Sequence, residues 1–134
     1  MMTMVVSTTS CWKKISREGI YLQNNYDDTI FALVAWNGME HIYPDTALPQ
    51  TKPKFGTGEV PPGEKSTIKS TGMGGNWSDI INSLPADTLS IYLFAGKTLS
   101  TYNWSQIRDR YLILKRYDLS LQDLKIRNFT ITYP

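Results

Sequence analysis

The sequence predicts a mainly β domain, either a β-sandwich or an α+β domain, with about three short capped helices. Three observations favour this: the chain has the 134 residues of one ordinary domain, it contains several short runs of β-branched and aromatic residues, and helix-capping patterns lie between those runs. The composition, 41% apolar and 19% charged, is typical of a folded chain. We expect one β-rich domain over residues 19–134, preceded by an N-terminal tail over residues 1–18.

The first two predicted strands are separated by a loop rich in Asn and Asp. Residues 19–25 and 29–36 are strand-forming runs, and the second, containing TIFALVAW, is the strongest such run in the chain. Asn and Asp side chains bond their own backbone in turns. The pattern therefore predicts that these two strands pair as an antiparallel hairpin.

The middle of the chain is predicted to be a long ordered loop. Residues 37–63 hold five of the seven prolines, and proline lacks the N–H that a central strand needs. One candidate edge strand lies at residues 41–43. A turn at Pro62 and Gly63 then leads to a strand over residues 66–70.

Three helices are predicted from a capping pattern. In each, an N-cap residue is followed three positions later by a residue whose side chain can bind the backbone N–H of the N-cap residue. The pairs are Asn76 with Asp79, Asn103 with Gln106, and Ser120 with Asp123. Each cap side chain can accept a hydrogen bond from a free N–H of the first turn. The predicted helices cover residues 77–84, 104–111 and 121–126.

Strands are also predicted over residues 89–94, 111–117 and 129–133. In the last of these the alternation is regular, with apolar and aromatic residues separated by threonines. Because successive side chains of a strand point to opposite faces, Phe129, Ile131 and Tyr133 are predicted to face the core.

The first eleven residues, MMTMVVSTTSC, are unlike the start of a folded domain. Small residues before a cysteine are typical of a bacterial lipoprotein signal, so Cys11 is the candidate lipidation residue. The stretch lacks a basic region, its apolar part is short, and Thr8 stands where Leu or Val is usual. A start codon assigned too late explains the first two departures. The alternative is an incidental cysteine in an N-terminal tail.

Composition argues against several functions. One Cys and one His cannot form a Cys-based zinc site or a disulfide within the chain. The 14 Lys and Arg residues are interleaved with 12 acidic residues, so no nucleic-acid partner is predicted. The one His, His41, lies next to a predicted loop, and the chain has no G-x-S-x-G nucleophile motif. We predict no catalytic residue, no metal site and no cofactor.

Two motifs invite a binding interpretation that the residues do not favour. The glycine-rich stretch TGMGGNW at residues 71–77 lacks the Lys-Ser/Thr of a phosphate-binding loop, and a flexible loop is favoured. Asp27 and Asp28 lie near Asn24 and Asn25, a set of oxygen donors that suits calcium, but turn formation is favoured there as well.

The C-terminal region carries a distinctive pattern, ILKRYDLSLQDL at residues 113–124 followed by NFTITYP at residues 128–134. Together with NNYDDTI (24–30) and YPDTALP (43–49), it resembles a family of small, functionally uncharacterised proteins from Bacteroidetes, many of which look like secreted or surface lipoproteins. The chain differs at Phe129, where that family usually has tryptophan. The resemblance implies an exported bacterial protein, secreted or lipid-anchored in the envelope, and supports lipidation of Cys11. It implies no activity.

Aromatic residues are more numerous than one small core requires. Eight tyrosines and four tryptophans combine contact area with polar groups, which suits protein and sugar surfaces. The leading hypothesis is a non-enzymatic, envelope-associated module that binds an unknown protein or glycan or has a structural role. Two alternatives stay open, a small hydrolase using only carboxylates and an inhibitor or immunity-type protein. A concave pocket with convergent polar groups would favour an enzyme, and an aromatic patch a binding module.

Overall fold

A computed structural model of the chain describes residues 18–36, residue 39 and residues 41–134. Seven strands lie in this part of the chain: β1 (Gly19–Asn24), β2 (Ile30–Ala35), β3 (Glu59–Val60), β4 (Lys65–Ser70), β5 (Leu89–Ala95), β6 (Lys115–Leu119) and β7 (Thr130–Tyr133). Four helices accompany them: α1 (Trp77–Asn82), α2 (Gly96–Thr101), α3 (Trp104–Arg110) and α4 (Leu121–Ile126). The mainly β fold class with short helices is confirmed. None of these helices is long and apolar enough to cross a membrane.

The strands form two sheets. In the three-stranded sheet, of order β4-β1-β7, β1 runs antiparallel to β4 and parallel to β7. In the four-stranded sheet, of order β3-β2-β5-β6, all neighbours are antiparallel. The two sheets share one core, which contains fully buried residues from both: Ile20, Leu22 and Ile131 from the first, and Ile30, Leu89, Ile91 and Leu93 from the second.

The final strand has the predicted core face at Ile131, which is fully buried, and at Tyr133, which is half-buried and packs against the same core. Phe129 also packs against this core, but it lies before β7 with φ of 55° and is not part of the strand. Thr132, between Ile131 and Tyr133, is exposed. Burial of a side chain the size of Ile131 contributes about 1.5–3 kcal/mol.

The outer face of the four-stranded sheet carries a second core. Its buried members are Leu33, Ala35, Leu48, Tyr92, Phe94 and Ile107. The covering layer is α3 and the proline-rich loop, which are joined by two hydrogen bonds. The indole N–H of Trp104 donates to the Pro49 carbonyl at 2.8 Å, and Arg108 Nε donates to the Leu48 carbonyl at 3.1 Å. The long loop is therefore a packed part of the domain.

The predicted hairpin of the first two strands is wrong, although both strands exist. β1 pairs with β4 and β7, and β2 pairs with β3 and β5. The cause is Asn24, which is fully buried. Its side-chain amide donates to the carbonyls of Asp28 and Val60, both at 2.9 Å, and its Oδ1 accepts from the Tyr26 N–H at 2.8 Å. These bonds turn the chain out of one sheet and into the other.

One further strand prediction is wrong, and another is wrong in where the strand begins. Residues 41–43 form no strand, and the short strand of the loop is β3 instead. The strand predicted over residues 111–117 begins only at Lys115. Tyr111 ends α3 in the left-handed conformation, with φ of 55°, and Leu112 N–H donates to the Ile107 carbonyl at 3.0 Å. The apolar residues 111–113 thus pack on the second core as a helix end.

All three predicted helix caps are confirmed. The side chains of Asn76, Asn103 and Ser120 each accept from the backbone N–H three residues later, and the last two form complete capping boxes. The turn before β4 is confirmed too, because Glu64 N–H donates to the Pro61 carbonyl at 3.2 Å and Gly63 has φ of +80°.

Helix α2 is not predicted by the sequence because its cap lies far away in the chain. Its own N-cap residue is Ala95, which has no side-chain acceptor. Asp28 supplies the acceptor instead, since its Oδ2 accepts from the Lys97 N–H at 2.8 Å. Gly96 allows this approach, as a Cβ there would lie 3.2 Å from Asp28 Oδ1.

Candidate functional site

The N-terminal tail with Cys11 lies outside the described residues, and the described domain begins at Glu18. Glu18 is bound on three sides by the glycine-rich loop at residues 71–77. Its N–H donates to Thr71 Oγ1 at 2.9 Å, its carbonyl accepts from Thr71 N–H at 2.7 Å, and its carboxylate accepts from the Trp77 N–H at 2.8 Å. The loop therefore holds the point at which the tail joins the domain and caps α1 from outside.

Of the two acidic residues considered for calcium, Asp28 has structural partners. It accepts from the Thr29 and Lys97 N–H groups, both at 2.8 Å, whereas Asp27 is exposed. Across the described ranges, no group of three or more His, Cys, Asp or Glu side chains could hold a metal ion. Asp28 therefore supports the turn before β2 and the start of α2.

His41 pairs with a carboxylate in the proline-rich loop. Its Nδ1 lies 2.6 Å from Asp45 Oδ2. The pKa of the Asp45 carboxyl is lowered, mainly by the Ala47 N–H that donates to it and secondly by the hydrogen bond to His41. The pair joins two points of one loop.

A polar network lies on the outer face of the four-stranded sheet, where β5 and β6 pair. Ser90 Oγ donates to Asp118 Oδ1 at 2.7 Å, and Arg116 Nε lies 3.2 Å from Asp118 Oδ2. Arg116 Nη1 donates to the Tyr111 hydroxyl at 3.0 Å, and this hydrogen bond is the main cause that raises the pKa of Arg116. The network joins β6 to the end of α3, and within it the charges of Arg116 and Asp118 are paired with each other.

Tyr92 lies beside this network and is fully buried. Burial is the main reason that the pKa of its phenol rises to about 12. Tyr111 and Arg116 are close, but the Tyr92 hydroxyl forms no well-aligned hydrogen bond with any described residue. A neutral, shielded phenol packs as a core residue and has no access to a substrate.

A cleft of about 250 Å³ lies beside β2, and we call it the β2 groove. It lies where an edge of each sheet meets on the same side of the sandwich. Its lining comes from three separate parts of the chain: residues 32–34, Trp36 and Met39; residues 53–55; and Ile68 and Lys69 of β4.

The floor of the β2 groove is an open strand edge. β3 pairs with β2 only at Ile30 and Phe31, and from there on β2 has a strand neighbour on the β5 side alone within the described chain. Gly96 N–H donates to the Thr29 carbonyl at 2.8 Å. Antiparallel alternation from that bond directs the N–H and C=O of Ala32 and Val34 to the open edge.

Gly58 covers only the beginning of this edge. A Cβ at Gly58 would lie 2.3 Å from the Ala32 carbonyl oxygen, so the backbone approaches too closely for any side chain. Val34 is the next residue whose backbone groups point the same way. Among the described residues, the edge is therefore covered at Ala32 and open at Val34.

Aromatic rings and lysines form the walls of the β2 groove. The Phe55 ring is fixed by edge contacts with Phe31 and Phe94, at centroid distances of 5.3 and 5.6 Å. Lys69 Nζ lies 4.1 Å from the centre of the Trp36 ring, over its face. Among the described residues, the charged members of the lining are Lys54 and Lys69, which make the rim cationic.

Sequence reasoning did not find the β2 groove because no motif spans it. Its walls are brought together by sheet pairing and by the loop that folds over the second core. The surplus of aromatic residues was the one sequence signal for a binding surface, and it gave no position. Lysines next to apolar strand residues, as at Lys69, are too common to mark a site alone.

Comparisons with protein-family models, with curated proteins and with solved structures found no match to this chain.

Proposed function

We propose that this protein is a non-enzymatic binding module that takes a protein partner in the β2 groove, and that a lipid on Cys11 holds it at the bacterial envelope. The observation that carries the proposal is the open edge of β2 at Val34, placed beside an apolar cleft with a lysine rim. A folded protein rarely leaves a strand edge next to apolar surface without covering or using it.

The contacts of the polar side chains support binding over hydrolysis. Asp28 caps α2, Glu18 caps α1 and Asp118 is shared between Ser90 and Arg116. A carboxylate hydrolase needs two carboxyls that converge on a substrate cleft. The β2 groove instead offers lysines and aromatic rings, which suit recognition.

The β2 groove also favours a polypeptide over a glycan. Sugar rings stack on free aromatic faces, and here Lys69 lies over the Trp36 face while Trp77 lies beside it at a centroid distance of 5.7 Å. Free backbone N–H and C=O groups are the features to which an added strand binds. The volume of about 250 Å³ suits one or two side chains of such a strand.

A capture experiment tests the binding proposal. The full chain is used as bait in envelope extracts of the native organism, beside a variant with Lys54→Glu and Lys69→Glu. A matched control carries Lys97→Glu and Lys125→Glu, which change two exposed lysines on α2 and α4. We expect one partner to be recovered by the wild type and the control and lost by the groove variant.

The outcomes separate the alternatives. Equal recovery by the groove variant would contradict the proposal, as would the absence of any specific partner. The identity of a recovered partner distinguishes an inhibitor, whose partner is an enzyme or toxin, from an envelope module.

Metabolic labelling tests the anchor separately. The native gene product is labelled with a palmitate analogue, beside Cys11→Ala. We expect label on the wild type alone, because stable anchoring requires acyl chains on that residue. Label that survives Cys11→Ala, or no label on either protein, would remove the envelope assignment.

A further inference from the structure

We propose that the β2 groove binds an extended acidic segment of the partner, which adds to β2 as a further strand at Val34. This inference rests on the proposed function and names the chemistry of the partner at the same site. It follows from the direction of the backbone groups, the charge of the rim and the shape of the cleft.

The backbone of β2 sets an extended conformation for the bound segment. Val34 directs its N–H and C=O into the β2 groove, and a strand bound there can form hydrogen bonds with both groups. Gly58 blocks the edge at Ala32, which limits the added strand to the Val34 end of β2. Main-chain bonds supply affinity in this mode of recognition, and side-chain pockets supply specificity.

The lining of the β2 groove sets the side chains of the segment. One side of an added strand meets the apolar wall formed by Phe55 and Ile68. The groups at the rim are the ammonium ions of Lys54 and Lys69, and no carboxylate is among the described residues of the lining. Apolar residues alternating with Asp or Glu therefore complement the β2 groove, since carboxylates reach the lysines when apolar side chains enter the cleft.

Two other occupants fit less well. A second copy paired edge to edge would bring Lys54 and Lys69 of both molecules together, and lysines on an edge strand oppose such self-pairing. The chain's own N-terminal residues 1–17 contain Lys13, Lys14 and Arg17 and no acidic residue. A separate acidic chain is the occupant that the charges favour.

Peptide titration tests the inference directly. The full chain, labelled with nitrogen-15, is titrated with a short end-capped peptide of alternating valine and glutamate, and amide shifts are recorded by NMR. The comparison peptides alternate valine with lysine, or carry proline at the centre of the glutamate peptide. We expect saturable binding of the glutamate peptide, with the largest shifts at Val34 and its neighbours. The other two peptides should bind about ten-fold more weakly or not at all.

Variants locate the charge requirement. The double variant Lys54→Gln, Lys69→Gln should bind the glutamate peptide about ten-fold more weakly than the wild type. The control variant Lys97→Gln, Lys125→Gln should bind it with unchanged affinity. The inference is overturned by equal affinity for the glutamate and lysine peptides, by shifts centred away from β2, or by self-association through Val34. If the glutamate peptide does not bind while capture still depends on Lys54 and Lys69, only the partner chemistry is wrong. If capture of the partner is also unaffected by the loss of these lysines, both the partner chemistry and the proposed function are wrong.

Discussion

The two sides of the sandwich are completed in different ways. On one side the chain passes from β6 to β7 through α4, whose Leu124 is fully buried in the core and whose first turn is capped by Ser120. On the other side β3 covers β2 for only two residues, and the β2 groove remains. One side is closed by a local helix, and the other is left open beside an apolar cleft.

The difference between the closed and the open side indicates that the first contributes to stability and the second to recognition. Residues on the closed side contribute to the core and to a helix cap, so their loss should lower the free energy of unfolding. The lysines at the open side contact solvent and one aromatic face, so their loss should change binding far more than folding.

Ile131→Ala on the closed side should lower the free energy of unfolding by about 2–5 kcal/mol, because a fully buried side chain is removed. Thr132→Ala, at the exposed position next to it, should change it by less than about 0.5 kcal/mol. Urea denaturation of both variants measures the difference. A loss below about 0.5 kcal/mol for Ile131→Ala would mean that β7 is peripheral to the core.

Gly58→Ala should cost about 1–3 kcal/mol, because its Cβ would meet the Ala32 carbonyl oxygen at 2.3 Å and force the backbones apart. Gly72→Ala is the matched control, since a Cβ there meets nothing within 4 Å. The same denaturation experiment compares the two. Equal stability of the variants would show that β2 is not held by this contact.

Ser120→Ala should lower stability by about 1 kcal/mol, because the backbone N–H of Asp123 loses its acceptor at the start of α4. Ser105→Ala changes a serine in the first turn of α3 that does not cap it, and should be close to neutral. Thermal unfolding of the two variants tests this. Equal shifts in Tm would indicate that the capping box contributes little to the closed side.

Lys54→Gln together with Lys69→Gln should change the free energy of unfolding by at most about 1 kcal/mol, the value of an exposed contact between a cation and an aromatic ring. Denaturation beside the wild type measures the effect. A loss of several kcal/mol would show that these lysines support the fold, and the contrast between the two sides would then fail.

The sequence predicted those parts of the fold whose causes are local. Each of the three helix caps needs only a side chain and an N–H three residues apart, and all three form. The alternation in β7 is equally local, and its core face is correct. The turn at Pro62 and Gly63 depends on the backbone preferences of two adjacent residues, and it also forms.

Predictions failed where a distant residue decides the structure. The β1–β2 hairpin fails because Asn24 bonds to Val60, and α2 escapes prediction because its cap is Asp28. The β2 groove was also missed because it depends on residues that are distant in the sequence. Its lining includes Trp36, Phe55 and Lys69, which no sequence spacing relates.

Among the described residues the edge of β2 is open at Val34, and we propose that it is available to a partner. Amide hydrogen exchange by NMR on the partner-free chain tests it most directly, by comparing Val34 with Leu33, whose backbone groups face Tyr92 of β5. We expect the Val34 amide to exchange about 100-fold faster than the Leu33 amide and to become protected when the glutamate peptide is added. Equal protection of the two amides in the free protein would show that the edge is already covered, and would contradict the proposed binding of a partner at β2.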